Sequence, residues 1–245
     1  LNTTYLSDIT GNDKKVFIAT DEGVNIIDKE TRGVEYITEG LSSAPCNSVY
    51  VEGDNLWVGT VNGLDCINLK DYSIKNYNYI YEEAGINDYI TSVIFKDSLG
   101  NMWFGLSIDG GVVKFNPETN EVKSYRNISE ENSISDNSIA AINEDIEGNI
   151  WFGTSAGLNM LDKETETFKV FSVEDGLNNN TIYNIGFNEK DEIWISTNSG
   201  VELLKVDNED NIFVQEYIKN TELNNNAYLK TSKGEMVFGA IDGLY

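Results

Sequence analysis

The run Asn149-Ile150-Trp151-Phe152-Gly153-Thr154-Ser155-Ala156-Gly157-Leu158 decides the fold, because its pattern returns along the 245-residue chain. Other copies are Val16-Phe17-Ile18-Ala19-Thr20 with Gly23-Val24, Leu56-Trp57-Val58-Gly59-Thr60 with Gly63-Leu64, and Met102-Trp103-Phe104-Gly105-Leu106 with Gly110-Gly111-Val112. Two more are Ile193-Trp194-Ile195-Ser196-Thr197 with Gly200-Val201, and Met236-Val237-Phe238-Gly239-Ala240 with Gly243-Leu244. From Phe17 through Trp57, Trp103, Trp151 and Trp194 to Val237 the intervals are 40, 46, 48, 43 and 43 residues, the period of a four-stranded propeller blade.

One unit reads as four short strands between Asn137 and Phe171: A over 138–144, B over 150–154, C from Leu158, and D over 167–171. Strand B is apolar on successive residues, so both its faces must be covered, as in a sheet held between neighbouring blades. The reading is all-β: a single β-propeller domain of four-stranded antiparallel blades. They occupy about 1–40, 41–80, 81–127, 128–173 and 174–219, with a partial sixth over 220–245. That sixth copy stops at the start of strand C. The expectation is a fragment of a seven-bladed parent, with six blades as the alternative, or a last blade completed by another segment or by a second copy in a homodimer.

Each repeated residue has a mechanical role. The mid-strand tryptophans read as interblade packing. Glycines 59, 105, 153 and 239 allow close backbone approach, and glycines 23, 63, 157, 200 and 243 suit turns with positive φ. The Asp-x-x-Gly-Asn stretches at 97–101 and 145–149 read as hairpin turns, since they lack the spaced carboxylates and terminal Glu of a calcium loop.

Charge narrows the partners. With 41 acidic and 17 basic residues the net charge is −24, which repels nucleic acid and anionic lipid. No apolar run is long enough for a membrane span, so direct membrane insertion by this segment is not expected. The start, Leu1 to Tyr5, lacks the basic and apolar regions of a signal peptide, so a removed targeting segment or an excised fragment is expected. Cys46 and Cys66 lie two strands apart in one blade, roughly 9.5 Å, beyond disulfide reach of about 7 Å; free thiols are expected.

The Asp-x-x-Gly-Asn-x-Trp-Phe-Gly-Thr-x-x-Gly-Leu run at 145–158 and the Asp-Gly-Leu-x-x-Asn approach at 175–180 resemble the two-component regulator propeller family, the sensor repeats of bacterial hybrid two-component systems. The resemblance covers nearly the whole chain, although Phe17 and Val237 replace the Trp of strand B. It implies an extracytoplasmic sensor, periplasmic or at the cell surface, whose output module, a histidine kinase or a diguanylate cyclase, lies outside this sequence. Oligosaccharides are the ligands it suggests.

In a four-stranded blade the D-to-A crossings and B-to-C turns emerge on one face. Candidate ligand-binding residues there are Asn47, Tyr89, Asn137, Asn180 and Asn226 near the starts of strand A, with Asp21, Asn62, Asp109, Asn198 and Asp242 in the B-to-C turns. Amides and carboxylates on a concave mouth hydrogen-bond a small polar ligand, and tyrosines offer flat walls to a sugar ring. Asn and Asp are also ordinary turn residues. With no histidine in the chain, a Ser-His-Asp triad, a histidine base and His-rich metal sites are excluded, and two arginines are too few for a sialidase. The expectation is a non-enzyme with neither cofactor nor metal. A protein-interaction scaffold is the alternative, and a carboxylate-dependent glycosidase stands behind both.

Overall fold

The structure is a computed structural model that describes residues 5–87, 89–128, 132–206, 212–219, 221–231, 233–240 and 243–245, the side chains of 225 and 226 excepted. Its strands form six antiparallel sheets in sequence order. Sheet one holds β1 (Leu6–Gly11), β2 (Lys15–Thr20), β3 (Gly23–Asp28) and β4 (Val34–Ile37); sheet two holds β5 (Cys46–Glu52), β6 (Asn55–Thr60), β7 (Gly63–Asn68) and β8 (Ile74–Asn76). After a one-turn helix α1 (Tyr79–Glu83), sheet three contains β9 (Thr91–Lys96), β10 (Met102–Leu106), β11 (Val112–Phe115) and β12 (Val122–Tyr125). Sheet four is β13 (Ile139–Glu144), β14 (Ile150–Thr154), β15 (Gly157–Leu161) and β16 (Phe168–Phe171). Sheet five is β17 (Ile182–Phe187), β18 (Ile193–Thr197), β19 (Gly200–Val206) and β20 (Ile212–Lys219), and three strands, β21 (Leu223–Lys230), β22 (Met236–Ala240) and β23 (Gly243–Leu244), form sheet six. The expected strands of the fourth blade fall within a residue of those observed.

The chain divides into two compact units, 1–96 with 100–124 and 97–99 with 125–245. Within the first, sheets one, two and three meet along β1, β5 and β9; within the second, sheets four, five and six meet along β13, β17 and β21. The apolar runs of the second strands explain this stacking. All five residues of β14 are buried, and Trp151 enters a core that runs through Leu158 and Phe171 into Ile185 and Leu204 of sheet five. Burial of a large side chain stabilises by roughly 1.5–3 kcal/mol, so the second and third strands, buried on both faces, carry most of the apolar contribution in sheet four.

The first-to-second-strand turn of sheet four explains the repeat's polar residues. Asp145 Oδ1 accepts the Asn149 N–H at 2.8 Å, while Oδ2 accepts Asn149 Nδ2 at 3.0 Å and the Trp151 indole N–H at 2.8 Å. One carboxylate thereby closes the hairpin and orients the core tryptophan. Trp57, Trp103 and Trp151 are buried as expected, whereas Trp194 is half-exposed and its buried indole nitrogen has no acceptor. The reason is local: Asn188 stands where Asp145 stands, and its Oδ1 is taken by the N–H groups of Lys190 and Glu192.

Candidate functional site

A repeated irregularity marks the side of the sheets where crossings and second-to-third-strand turns emerge. In sheets one to five the pairing register of the first strand jumps at Leu6/Asp8, Cys46/Ser48, Thr91/Val93, Ile139/Ala141 and Ile182/Asn184. Ser7, Asn47, Ser92, Ala140 and Tyr183 are the extra residues. Such bulges bend a strand and re-aim a side chain.

The sequence-derived candidates fall into three groups on this scaffold. Asn47 is the bulge residue of β5 and is half-buried. Asn137 and Asn180 sit two residues before their strands, where their Oδ1 atoms accept the backbone N–H of Asn127 at 2.6 Å and Val173 at 2.8 Å, closing the crossing loops. Tyr89 takes the equivalent place before β9, so Asn47 is one class of position and Asn137, Asn180 and Tyr89 another. Asp21, Asn62, Asp109 and Asn198 are exposed in the turns. Asn198 is brought to a bulge residue, its Oδ1 lying 3.5 Å from the Tyr183 hydroxyl that donates to it. Asp242 and the Asn226 side chain lie outside the described residues.

Missed by sequence reasoning is a set of buried polar side chains two residues past the turn glycine, at Asn25, Asp65, Asn159 and Glu202. Asp65 accepts the Ser42 N–H and Oγ, both at 2.7 Å, and Asn159 accepts the Ser135 N–H at 2.8 Å. Glu202 accepts the Asn178 N–H at 3.4 Å. Asp65, Asn159 and Glu202 therefore hold their incoming crossings at the same point, four residues before the first strand. Burial raises the Glu202 pKa, and Glu216, its cross-strand partner, pushes it the same way. The usable signal was a polar residue inside an otherwise apolar strand.

Aromatic surface gathers in the first unit. Tyr77, Tyr79 and Tyr89 are half-buried around the buried Tyr81 of α1, with centroids 5.8 Å apart for Tyr77–Tyr79 and 5.7 Å for Tyr81–Tyr89. Trp57 backs Tyr77 at 4.7 Å, and the Tyr81 hydroxyl is 2.6 Å from Thr91 Oγ1. Asn78 ties this cluster to the turn: its Oδ1 accepts the Leu64 N–H at 2.9 Å and its Nδ2 donates to the Asn62 carbonyl at 3.2 Å. Gly63, at φ +144°, makes room, since a Cβ there would stand 2.1 Å from Asn78 Oδ1. Tyrosine rings beside turn amides can stack on an apolar ring face while hydrogen-bonding hydroxyls.

Among the described residues no group of His, Cys, Asp and Glu could hold a metal ion, and no helix is long and apolar enough to cross a membrane.

Successive four-stranded antiparallel sheets at this period define a β-propeller protein. More particularly, residues 133–156, which take in most of the quoted run, match the family model described as two component regulator propeller. Among solved structures, the chain is similar to the extracellular domain of a putative hybrid two-component system from B. thetaiotaomicron, with a TM-score of 0.74 and 20% identity over 100% of this chain and 39% of that one. A second such extracellular domain from the same organism gives 0.77 and 20% over 100% and 33%. The chain thus spans well under half of either. Virginiamycin B lyase from Staphylococcus aureus, in a catalytically inactive histidine-to-alanine variant with quinupristin, gives 0.72 and 15% over 98% and 80%. No protein of curated function matches at the level of sequence.

Proposed function

We propose that this chain is the extracytoplasmic ligand-sensing propeller of a bacterial signalling receptor, that it takes a small polar ligand of the oligosaccharide class, and that it passes the signal to an output module outside this sequence. The observation that carries the reading is the cluster of half-buried Tyr77, Tyr79 and Tyr89 joined through Asn78 to the Asn62 turn. Asn47, Asp21 and Asp109 in the first unit, and Asn137, Asn180 and Asn198 in the second, are further ligand-facing candidates. The two extracellular domains of hybrid two-component systems support the sensor role and the location outside the cytoplasm.

The reading is non-enzymatic. The lyase with this fold is described as inactive when a histidine is replaced by alanine, and this chain contains no histidine.

A thermal-shift screen of the 245-residue chain against oligosaccharides tests the proposal, because a ligand that binds the native state raises the midpoint. A sugar that shifts wild type and loses its effect in Tyr89→Ala and Asn62→Ala supports it. Equal shifts in those variants would overturn the site, and turnover of the bound sugar would overturn the non-enzymatic reading.

A further inference from the structure

The buried polar residue two places past the turn glycine meets a different neighbour in each sheet, and that neighbour decides what it can do. Asp65 pairs across to Asn76, whose Nδ2 donates to it at 3.1 Å, so with the Ser42 N–H and hydroxyl it has three donors. Asn159 pairs with Val170. Glu202 pairs with Glu216, and side chains directly opposite on neighbouring strands have Cβ atoms about 4.5–5.5 Å apart. Where sheet two offers a donor, sheet five sets two carboxyl groups against each other.

Glu202 is 1% exposed. Among the described residues Asn178 supplies its donors, through the N–H at 3.4 Å and the side-chain amide. The half-buried Glu216 is the anion of an ion pair with Lys219, so a second anion at Glu202 meets no cation on β20. The other elements bring none either. Ile185 of β17 and Ile195 of β18 lie in the same row, and the core on that face runs through Leu158 and Phe171 of sheet four and Leu177 of the crossing. In the crossing Glu174 and Asp175 are exposed, and Asp175 accepts from Ser172; Lys205 of β19 pairs with Glu192. Burial raises the Glu202 pKa most and Glu216 adds to it, together outweighing the Asn178 hydrogen bonds, which favour the charged form.

We propose that Glu202 is a proton-sensitive latch on the crossing into sheet five: protonated, it seats the Asn178–Asn180 stretch against β19, and on ionisation it lifts that stretch to reach water. The crossing yields before the edge strand, since β20 is paired along the whole of β19. The stretch itself lies between the buried anchors Leu177 and Ile182, tied by Asn179 Nδ2 on Ser199 Oγ at 3.0 Å and by Asn180 on the Val173 N–H. A group whose folded pKa is raised contributes its stability below its unfolded value, here 4.5, and loses it as pH rises through the folded value. The stretch is therefore seated in acid and released as pH rises. The latch lies within sheet five and does not rest on the sugar-sensing reading, although it sets the position of Asn180.

The test is amide NMR of the 245-residue chain with labelled asparagine, followed from about pH 4 to about pH 8. The Asn178 backbone and side-chain resonances should titrate with a midpoint above 4.5, and the heteronuclear Overhauser effect at Asn178–Asn180 should fall across the same midpoint. Glu202→Gln keeps the shape of the protonated acid and an acceptor for Asn178, so it should abolish the transition and keep the stretch ordered throughout. Glu216→Gln removes the like charge and should lower the midpoint; being only half-buried, it carries the test if the other variant fails to fold. Asp8→Asn, in the other unit, should leave the midpoint unchanged. A flat titration in wild type, a transition that persists in Glu202→Gln, a midpoint unmoved by Glu216→Gln, a midpoint that moves only with Asp8→Asn, or titration of Asn178 without a change in mobility would each overturn the proposal.

Discussion

The Trp151 indole N–H rests 2.8 Å from an Asp145 oxygen that also receives the Asn149 side chain, so a core ring and a surface hairpin share one acceptor. Replacing Asp145 by Ala removes the partner of three donors at once. Urea unfolding should show a loss of about 2–4 kcal/mol, more than the roughly 1 kcal/mol of a single neutral hydrogen bond.

Sheet five supplies the converse case. The double substitution Asn188→Asp with Glu192→Asn rebuilds the Asp145 and Asn149 arrangement below Trp194, whose nitrogen has no acceptor. It gives up the Lys205–Glu192 ion pair, whose lysine is exposed to solvent and whose attraction is therefore screened. A net gain of about 1 kcal/mol is expected, read as a higher thermal midpoint; an unchanged or lower midpoint contradicts the account of the orphaned indole.

Asp8 reaches from β1 to accept the Val49 N–H of the neighbouring sheet at 2.9 Å, and burial lifts its pKa to about 6 against these hydrogen bonds. Because the folded pKa is raised above the unfolded value of 3.8, Asp8 contributes fully below pH 4 and the contribution is lost as pH rises through 6. Asp8→Asn keeps an acceptor for Val49 without the buried charge. Its thermal midpoint should exceed that of wild type at pH 8, by an equivalent of about 3 kcal/mol, and the two should converge near pH 4.

Burial pushes the Cys46 thiol up to about 12 and the Cys66 thiol up to about 11. The register also keeps them at different levels, since Cys46 pairs with Thr60 and Cys66 with Trp57. Two thiols per chain should titrate with a disulfide reagent in denaturant, and neither should react within minutes in the native state at pH 8. Rapid native labelling would contradict the burial of both.

Strand B and its tryptophan were legible because period-wise apolar runs and turn glycines are local signals. The bulges were not, since an extra residue in a first strand is a property of its pairing and is filled by Ser, Asn, Ala or Tyr without a common chemistry. That is why Asn47 was grouped with Asn137 and Asn180 although it occupies a different position. Asn137 and Asn180 lie in the crossings two residues before their strands, where their carbonyl oxygens serve the loop backbone, a use that depends on where Asn127 and Val173 end up. The buried Asp65, Asn159 and Glu202 escaped notice because the crossing-loop donors they meet, at Ser42, Ser135 and Asn178, lie more than twenty residues away. The helix α1 and its tyrosines fill the lengthened interval between the second and third repeats, which spacing alone could not shape.

The bulges give this architecture positions that can vary without refolding. A residue outside the ladder contributes no backbone pair to its neighbour, so the partly buried side chains at 7, 47, 140 and 183 can be exchanged while the strands on both sides keep register, whereas Ser92 is buried and bonded to the Gly105 carbonyl. If the proposed ligand site lies on this side of the sheets, four such positions would let its specificity drift by single substitutions, with the tryptophan hairpins holding stability constant.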